Sequence, residues 1–254
     1  MTQGFRILAA TGLDRGDREF QQDQLCLLPH ERYKGCMLAV VADGMGGRSG
    51  GRKASDQVML TARQLFARYD PQTDSPELFL KQIAVEAHMV IRLTAASAEQ
   101  EPHSTIAAIV VHPDAHCYWL HSGDTRIYHF SGKDLVQRTL DHSYVQMLVE
   151  RGELTEEQAQ DDPRSNILVG CLGTERDPPL TLHHIEQVHA GDSLLLCSDG
   201  LWHYVSPEEM GLTLDLIEPR AACEFLVDKA RTRAQGTGDN ISVVVIKFLP
   251  LEAE

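Results

Sequence analysis

Five aspartates stand where apolar, strand-like runs begin or end: Asp23 in QQDQLCLL, Asp43 in VVADGMGG, Asp124 in LHSGDTRIYHF, Asp199 in LLLCSDGLW and Asp239 in GTGDNISVVVI. A carboxylate at the lip of a buried strand carries its charge out of the low-dielectric core. Several such lips side by side crowd groups that repel one another unless cations neutralise them. Hard divalent ions suit the task. Mg²⁺ and Mn²⁺ take oxygen ligands in octahedral arrays and keep several waters, which short Asp side chains on rigid strands serve better than His or Cys.

The densest chemistry lies in MLAVVADGMGGRSGGRKAS, a buried strand, a carboxylate, a glycine-rich turn and a helix start. As a dinucleotide fingerprint it fails at Ser49, where a third glycine should stand, and Asp43 would face the pyrophosphate. As a phosphate-binding Walker loop it lacks the Gly-Lys-Ser/Thr ending. As a metal-ligand turn it works: Gly44 leaves its carbonyl free to approach an ion, and Gly46 and Gly47 open space for a phosphoryl group. Taken alone, the segment is explained equally well as an ordinary strand-to-helix turn.

Apolar patterning predicts strands over residues 6–13, 24–28, 37–42, 105–112, 117–121, 126–130, 135–139, 193–197 and 241–248. Helical periodicity runs over 51–69 and 76–97, and a third long helix is expected over 219–235. Tight turns at His112-Pro113-Asp114 and Ser131-Gly132-Lys133 favour antiparallel hairpins over a parallel sheet. The segment 143–174 is more polar and reads as a flap on a single domain spanning 1–254. With 254 residues, 43% of them hydrophobic, the chain can bury a full core. The net charge of −14 argues against a nucleic-acid surface. No apolar run is long enough to span a bilayer and the start has no secretory pattern, so a soluble cytoplasmic protein without a membrane partner is expected. The six cysteines form no C-x-x-C pair and read as buried thiols.

Taken in order, REFQQD with Arg18 and Asp23, VVADGMGG followed by GRKAS, SGDTRIY, Asp141-His142-Ser143, LLLCSDGLW and Gly238-Asp239-Asn240 resemble the metal-dependent protein phosphatase family, also called protein phosphatase 2C, in its stand-alone bacterial form. The likeness covers about residues 12–248. It implies an α+β fold, a four-layer αββα sandwich of two antiparallel β-sheets flanked by helices. It also implies two core Mn²⁺ or Mg²⁺ ions: Asp43 bridges them, the Gly44 carbonyl adds a ligand, Asp199 and Asp239 complete one shell, and Asp23 holds the other side mainly through water. Asp124 would join Asp199 at a third, weaker ion, and Arg18 would grip the substrate phosphate. The implied reaction is attack of a metal-bridging hydroxide on phosphoserine or phosphothreonine without a phosphoenzyme. A monomer opposing a bacterial Ser/Thr kinase, with forkhead-associated proteins among its substrates, is the implied setting. A catalytically weak phosphoprotein-binding scaffold of the same fold is the alternative.

Two positions depart from the family pattern. Gln22 stands where Glu is common and is expected to hydrogen-bond a metal-bound water, so that Gln22→Glu keeps or tightens ion binding; Met45 stands where some relatives have His. Other residues read as structural. Cys26-x₅-Arg32 has cysteine-phosphatase spacing, but Glu31 would repel phosphate and the loop lacks small residues. His183 and His184 read as opposite faces of one strand, His142 as an organiser of the turn into the flap, and Trp202 as packing. Arg48, Arg52 and Lys53 read either as a helix start or as an attraction for a phosphopeptide. Glu153, Glu156, Glu157, Asp161 and Asp162 read as a solvated acidic face.

Overall fold

The computed structural model describes residues 5–95, 101–160 and 162–251, apart from the side chains at 48 and 49. In chain order the elements begin β1 (Phe5–Asp14), β2 (Gln24–Pro29), β3 (Met37–Ala42), β4 (Gly44–Met45), α1 (Gly47–Phe66) and α2 (Pro76–Ala95). Next come β5 (His103–Ser104), β6 (Ile106–Val111), β7 (Cys117–Ser122), β8 (Arg126–Ser131), β9 (Asp134–Arg138), α3 (Tyr144–Glu150) and α4 (Glu156–Gln160). The chain closes with β10 (Thr181–Ile185), β11 (Asp192–Cys197), α5 (Asp199–Trp202), α6 (Pro207–Leu216), α7 (Pro219–Ala234) and β12 (Ile241–Pro250).

Two five-stranded sheets, β1-β12-β11-β8-β9 and β10-β7-β6-β3-β2, are antiparallel throughout. Their strands read as unbroken apolar runs because both faces are covered. In β3, Ala39 and Val41 point into the cluster shared with Leu194, Leu196, Val244 and Ile246 of the opposite sheet. Leu38, Val40 and Ala42 point the other way, against Val58, Ala62, Ile83 and Ala87 of α1 and α2. On the far side, Leu195, Cys197, Val243 and Val245 meet Leu201, Met210, Leu214 and Leu226 of α5, α6 and α7. Three apolar clusters thus separate four layers, the expected αββα sandwich.

The nine expected strands and three long helices are present. The stretch of the second helix beyond Ala95, including Ser97, lies outside the described residues. Helix α1 starts at Gly47, four residues before the sequence reading placed it. Helix α6 went unread, although its start carries a full signal: the Ser206 hydroxyl accepts from the Glu209 N–H, the Glu209 carboxylate accepts from the Ser206 N–H, and Pro207 opens the helix. In the flap, Ser143 caps α3 by accepting from the Gln146 N–H. Among the described residues no helix is long and apolar enough to cross a membrane.

Leu196, fully buried between the sheets, gives the direct test of this packing. Leu196→Ala is expected to lower unfolding free energy by about 3 kcal/mol, read as a shift of the urea midpoint. A shift within error of zero would contradict the sandwich core.

Candidate metal centre

The register of the two sheets brings the aspartates to one edge of the sandwich. In one sheet Gln24 pairs with Ala42, so Asp23 before β2 and Asp43 after β3 leave side by side. In the other, Arg126 and Val243 both pair with Cys197, which gathers Asp124 before β8, Asp199 after β11 and Asp239 before β12. All five sites expected from the sequence are brought to this rim, and Arg18 joins them from the β1–β2 loop.

Each carboxylate is set by identifiable partners. Asp23 is 1% exposed, and its Oδ2 accepts from the hydroxyls of Ser198 at 2.6 Å and Ser242 at 2.9 Å. The Asp43 N–H donates to Thr105 Oγ1 at 2.9 Å, and the Thr105 N–H donates back to the Asp43 carbonyl at 2.9 Å. Asp199 opens α5. Arg18 Nη2 donates to Asp239 Oδ2 at 2.5 Å, both side chains standing at the solvent mouth. Asn240 accepts from the Gln22 N–H and donates to the carbonyls of Arg15 and Phe20, which pins the loop carrying Arg18. Ser198, Ser242, Thr105 and Asn240 were not singled out from the sequence. Ser198 and Asn240 adjoin predicted ligands, but only the folded register aims their side chains.

The crowding has the electrostatic cost expected of like charges. Loss of solvation, then the neighbouring Asp23, Asp199, Asp124 and Asp239, pushes the Asp43 carboxyl well above the usual range. Asp199 is raised likewise by burial and then by Asp124, Asp239 and Asp23. Burial lifts Asp23 to about 6 against the opposing hydroxyl bonds, and lifts Asp124 to about 7 with help from Asp141. Among the described residues, Asp23 Oδ1 and Asp199 Oδ1 are buried with no hydrogen-bond partner. Buried acceptors left open in a negative rim fit hard cations. Among the described residues no three His, Cys, Asp or Glu side chains close around one point. An ion here would therefore take much of its shell from water and backbone carbonyl, as Mg²⁺ ordinarily does.

The glycine turn differs from its sequence reading. Gly44 and Gly51 lie backbone to backbone: a Cβ on Gly44 would sit 2.1 Å from the Gly51 carbonyl oxygen. At Gly46 (φ +123°) a Cβ would strike the Glu101 carbonyl, so this residue makes room for chain rather than for phosphate, whereas the position at Gly47 is open. Gln22 has a further contact that the sequence did not show. Its Nε2 donates to the Gly47 carbonyl at 2.7 Å, which braces the turn. Arg52 donates to Asp56 and to the Gln21 carbonyl, so it too is a brace. Of the flap acids, Glu156 pairs with Arg138 and Asp162 with Arg164; Asp161 and the Arg48 side chain lie outside the described residues. Cys26 is buried in β2, and its thiol is pushed up to about 11 by that burial, which disposes of a cysteine nucleophile there.

A sandwich of this layering with a carboxylate rim at one edge defines a class, and comparison with known proteins agrees. The protein phosphatase 2C profile matches residues 15–233, and the chain belongs to that family. It is 34% identical over 220 residues to the serine/threonine protein phosphatase PstP of Mycobacterium tuberculosis; the match takes in 84% of this chain and 40% of that protein, so the chain spans less than half of this relative's length. The S. agalactiae serine/threonine phosphatase superposes with a TM-score of 0.85 at 27% identity, over 95% of this chain and 99% of that one. The catalytic domain of PstP in complex with two manganese ions superposes with a TM-score of 0.75 at 31% identity, over 96% and 98%.

Burial lifts the Asp23 and Asp124 carboxyls to about 6 and about 7, so protons compete with cations for them as pH falls through that window, and affinity falls with it. Mn²⁺ is expected to raise the melting temperature more at pH 8 than at pH 6; an equal or larger rise at pH 6 would contradict the assignment. Gln22→Glu removes the donor to Gly47 and sets a carboxylate against its carbonyl. Beside the kept or tighter ion binding expected from the sequence, the contact predicts a stability loss of about 1 kcal/mol by urea titration in EDTA; unchanged stability would contradict the bracing role.

Proposed function

We propose that this chain is a metal-dependent serine/threonine phosphoprotein phosphatase. The observation that carries the reading is the convergence of Asp23, Asp43, Asp124, Asp199 and Asp239 on one rim, with buried oxygens of Asp23 and Asp199 left open and the Arg18 guanidinium paired to Asp239 at its mouth. Asp43, the Gly44 carbonyl, Asp199, Asp239 and Asp23 would hold two ions, Mn²⁺ or Mg²⁺, and Asp124 with Asp199 a third. Bound there, such ions supply Lewis-acid activation of water and positive charge for the phosphoryl oxygens.

The chain's own residues do the positioning. Ser198 and Ser242 fix one oxygen of Asp23 and leave the other turned to the rim. Thr105 fixes the backbone of Asp43. Arg18 offers a planar fork that matches two phosphoryl oxygens, with Asp239 holding it over the rim until substrate arrives. Asn240 holds the loop that brings Arg18 there. Catalysis by alignment and electrostatics then calls for no side-chain nucleophile.

The same reading supplies the setting: phosphorylated Ser/Thr proteins as substrates, an opposing Ser/Thr kinase with forkhead-associated proteins in the pathway, a monomer in the cytoplasm, and one catalytic domain over 1–254 with its flap at 143–174. The test is phosphate release from a phosphothreonine peptide with Mn²⁺, with EDTA, and in an Asp43→Ala/Asp239→Ala variant. Release is expected with Mn²⁺ only, and the variant is expected to lose on the order of 10³-fold or more. Release that survives EDTA or the double variant would refute the proposal, and a folded protein silent in Mn²⁺ would shift the weight to a phosphoprotein-binding scaffold.

A further inference from the structure

The proposed chemistry gives no task to Arg126. Arg126 is enclosed between β8, the flap root and α5, its side chain 12% exposed. Its Nε and Nη2 donate to the two carboxylate oxygens of Asp141 at 2.9 and 2.7 Å. Its guanidinium carbon lies 3.5 Å from the centre of the Trp202 ring, close stacking for a cation on an indole. Trp202, expected from the sequence to be packing alone, donates its Nε1–H to the Asp124 carbonyl at 2.9 Å. Trp202 also ends the single turn of helix that Asp199 begins. One chain of contacts therefore runs from the flap root at Asp141 through Arg126 and Trp202 to the backbone of Asp124 and the helix of Asp199.

A second tie runs beside it. The His142 N–H donates to the Gly123 carbonyl at 2.9 Å, and the Gly123 N–H donates to His142 Nδ1 at 3.2 Å. That ring nitrogen is therefore an unprotonated acceptor, and the other, Nε2, is left to donate to Thr181 Oγ1 at 3.0 Å. Two links thus join residues 141–142, at the flap root, to the turn 123–124.

We propose that Trp202 and Arg126 are positioning residues that couple the seating of the flap to cation binding at Asp124 and Asp199. The inference rests on the metal-dependent reading above. Its chemistry is that of an outer contact that orients a ligand: the indole N–H holds the Asp124 backbone so that its carboxylate faces Asp199, and losing such a contact typically costs 10–100-fold in metal affinity. By linkage, an ion bound there must favour the seated flap to the same extent that the seated flap favours the ion.

The test uses Trp202→Phe, which keeps an aromatic ring at the position under Arg126 and removes the N–H donor, with Asp124→Asn as the reference for the ion site. Mn²⁺ binding is followed by electron paramagnetic resonance, and flap seating by the rate of trypsin cleavage at Arg151. In the wild type, Mn²⁺ is expected to bind in classes of which Asp124→Asn abolishes the weakest, and the same concentrations slow cleavage. In Trp202→Phe both midpoints are expected to move up about 10-fold, beyond the small drop in melting temperature in EDTA that the lost hydrogen bond brings. Unmoved midpoints in Trp202→Phe, or flap cleavage indifferent to the ion that Asp124→Asn removes, would overturn the coupling. A wild type that binds no Mn²⁺ would overturn the metal reading and the coupling together, and is told apart because no midpoint then exists to shift.

Discussion

Repulsion among carboxylates gathered at one rim is the constraint around which the rest of the structure is organised. Asp43 and Asp199 each feel three or more neighbouring aspartates while losing solvation. A flexible scaffold would relieve that strain by letting the side chains swing into water. Here they cannot, because each is rooted at the end of a strand whose both faces are packed. Serine hydroxyls then hold Asp23 from beneath, and Arg18 meets Asp239 from above. The core's stability is in effect spent on keeping like charges together, and hard cations are the species that gains from it.

Antiparallel pairing makes the convergence possible. Alternate strands run in opposite directions, so one edge of a sheet collects the ends of some strands and the starts of others. Asp43 and Asp199 follow their strands, whereas Asp23, Asp124 and Asp239 precede theirs, and the register puts all of them at the same edge. The glycine-rich turn serves this geometry more than it serves a ligand. With no side chain at Gly44 or Gly51, the first turn of α1 lies directly on β4, and Gln22 ties the two together.

The flap is bound into the same structure. Its root at Asp141 and His142 is tied by a buried arginine, an indole and reciprocal backbone and imidazole bonds to the turn that carries Asp124. The flap root and the outer part of the rim therefore share one set of contacts, whereas Asp23 and Asp43 are held by the hydroxyls of Ser198, Ser242 and Thr105.

Local chemistry determined much of this protein before any fold was known. The strands, the three long helices, the antiparallel class and the five aspartates were legible because apolar periodicity and charged residues at strand ends are properties of short stretches of chain. Even α6, which went unread, had its capping box written in Ser206, Pro207 and Glu209. Other features were decided only in three dimensions, because they depend on which backbone lies against which. Gln22 reads as a neighbour of Asp23, yet its side chain spends its donor on Gly47, 25 residues away. Trp202 reads as core, yet its N–H finds a carbonyl 78 residues distant. Ser198 and Ser242 are ordinary strand-end residues until β11 and β12 pair and turn both hydroxyls onto Asp23. Sequence named the charges that must be neutralised; tertiary register alone selected the groups that hold them in place, because hydrogen bonds act over about 3 Å and no reading of one strand reveals what the next will bring that close.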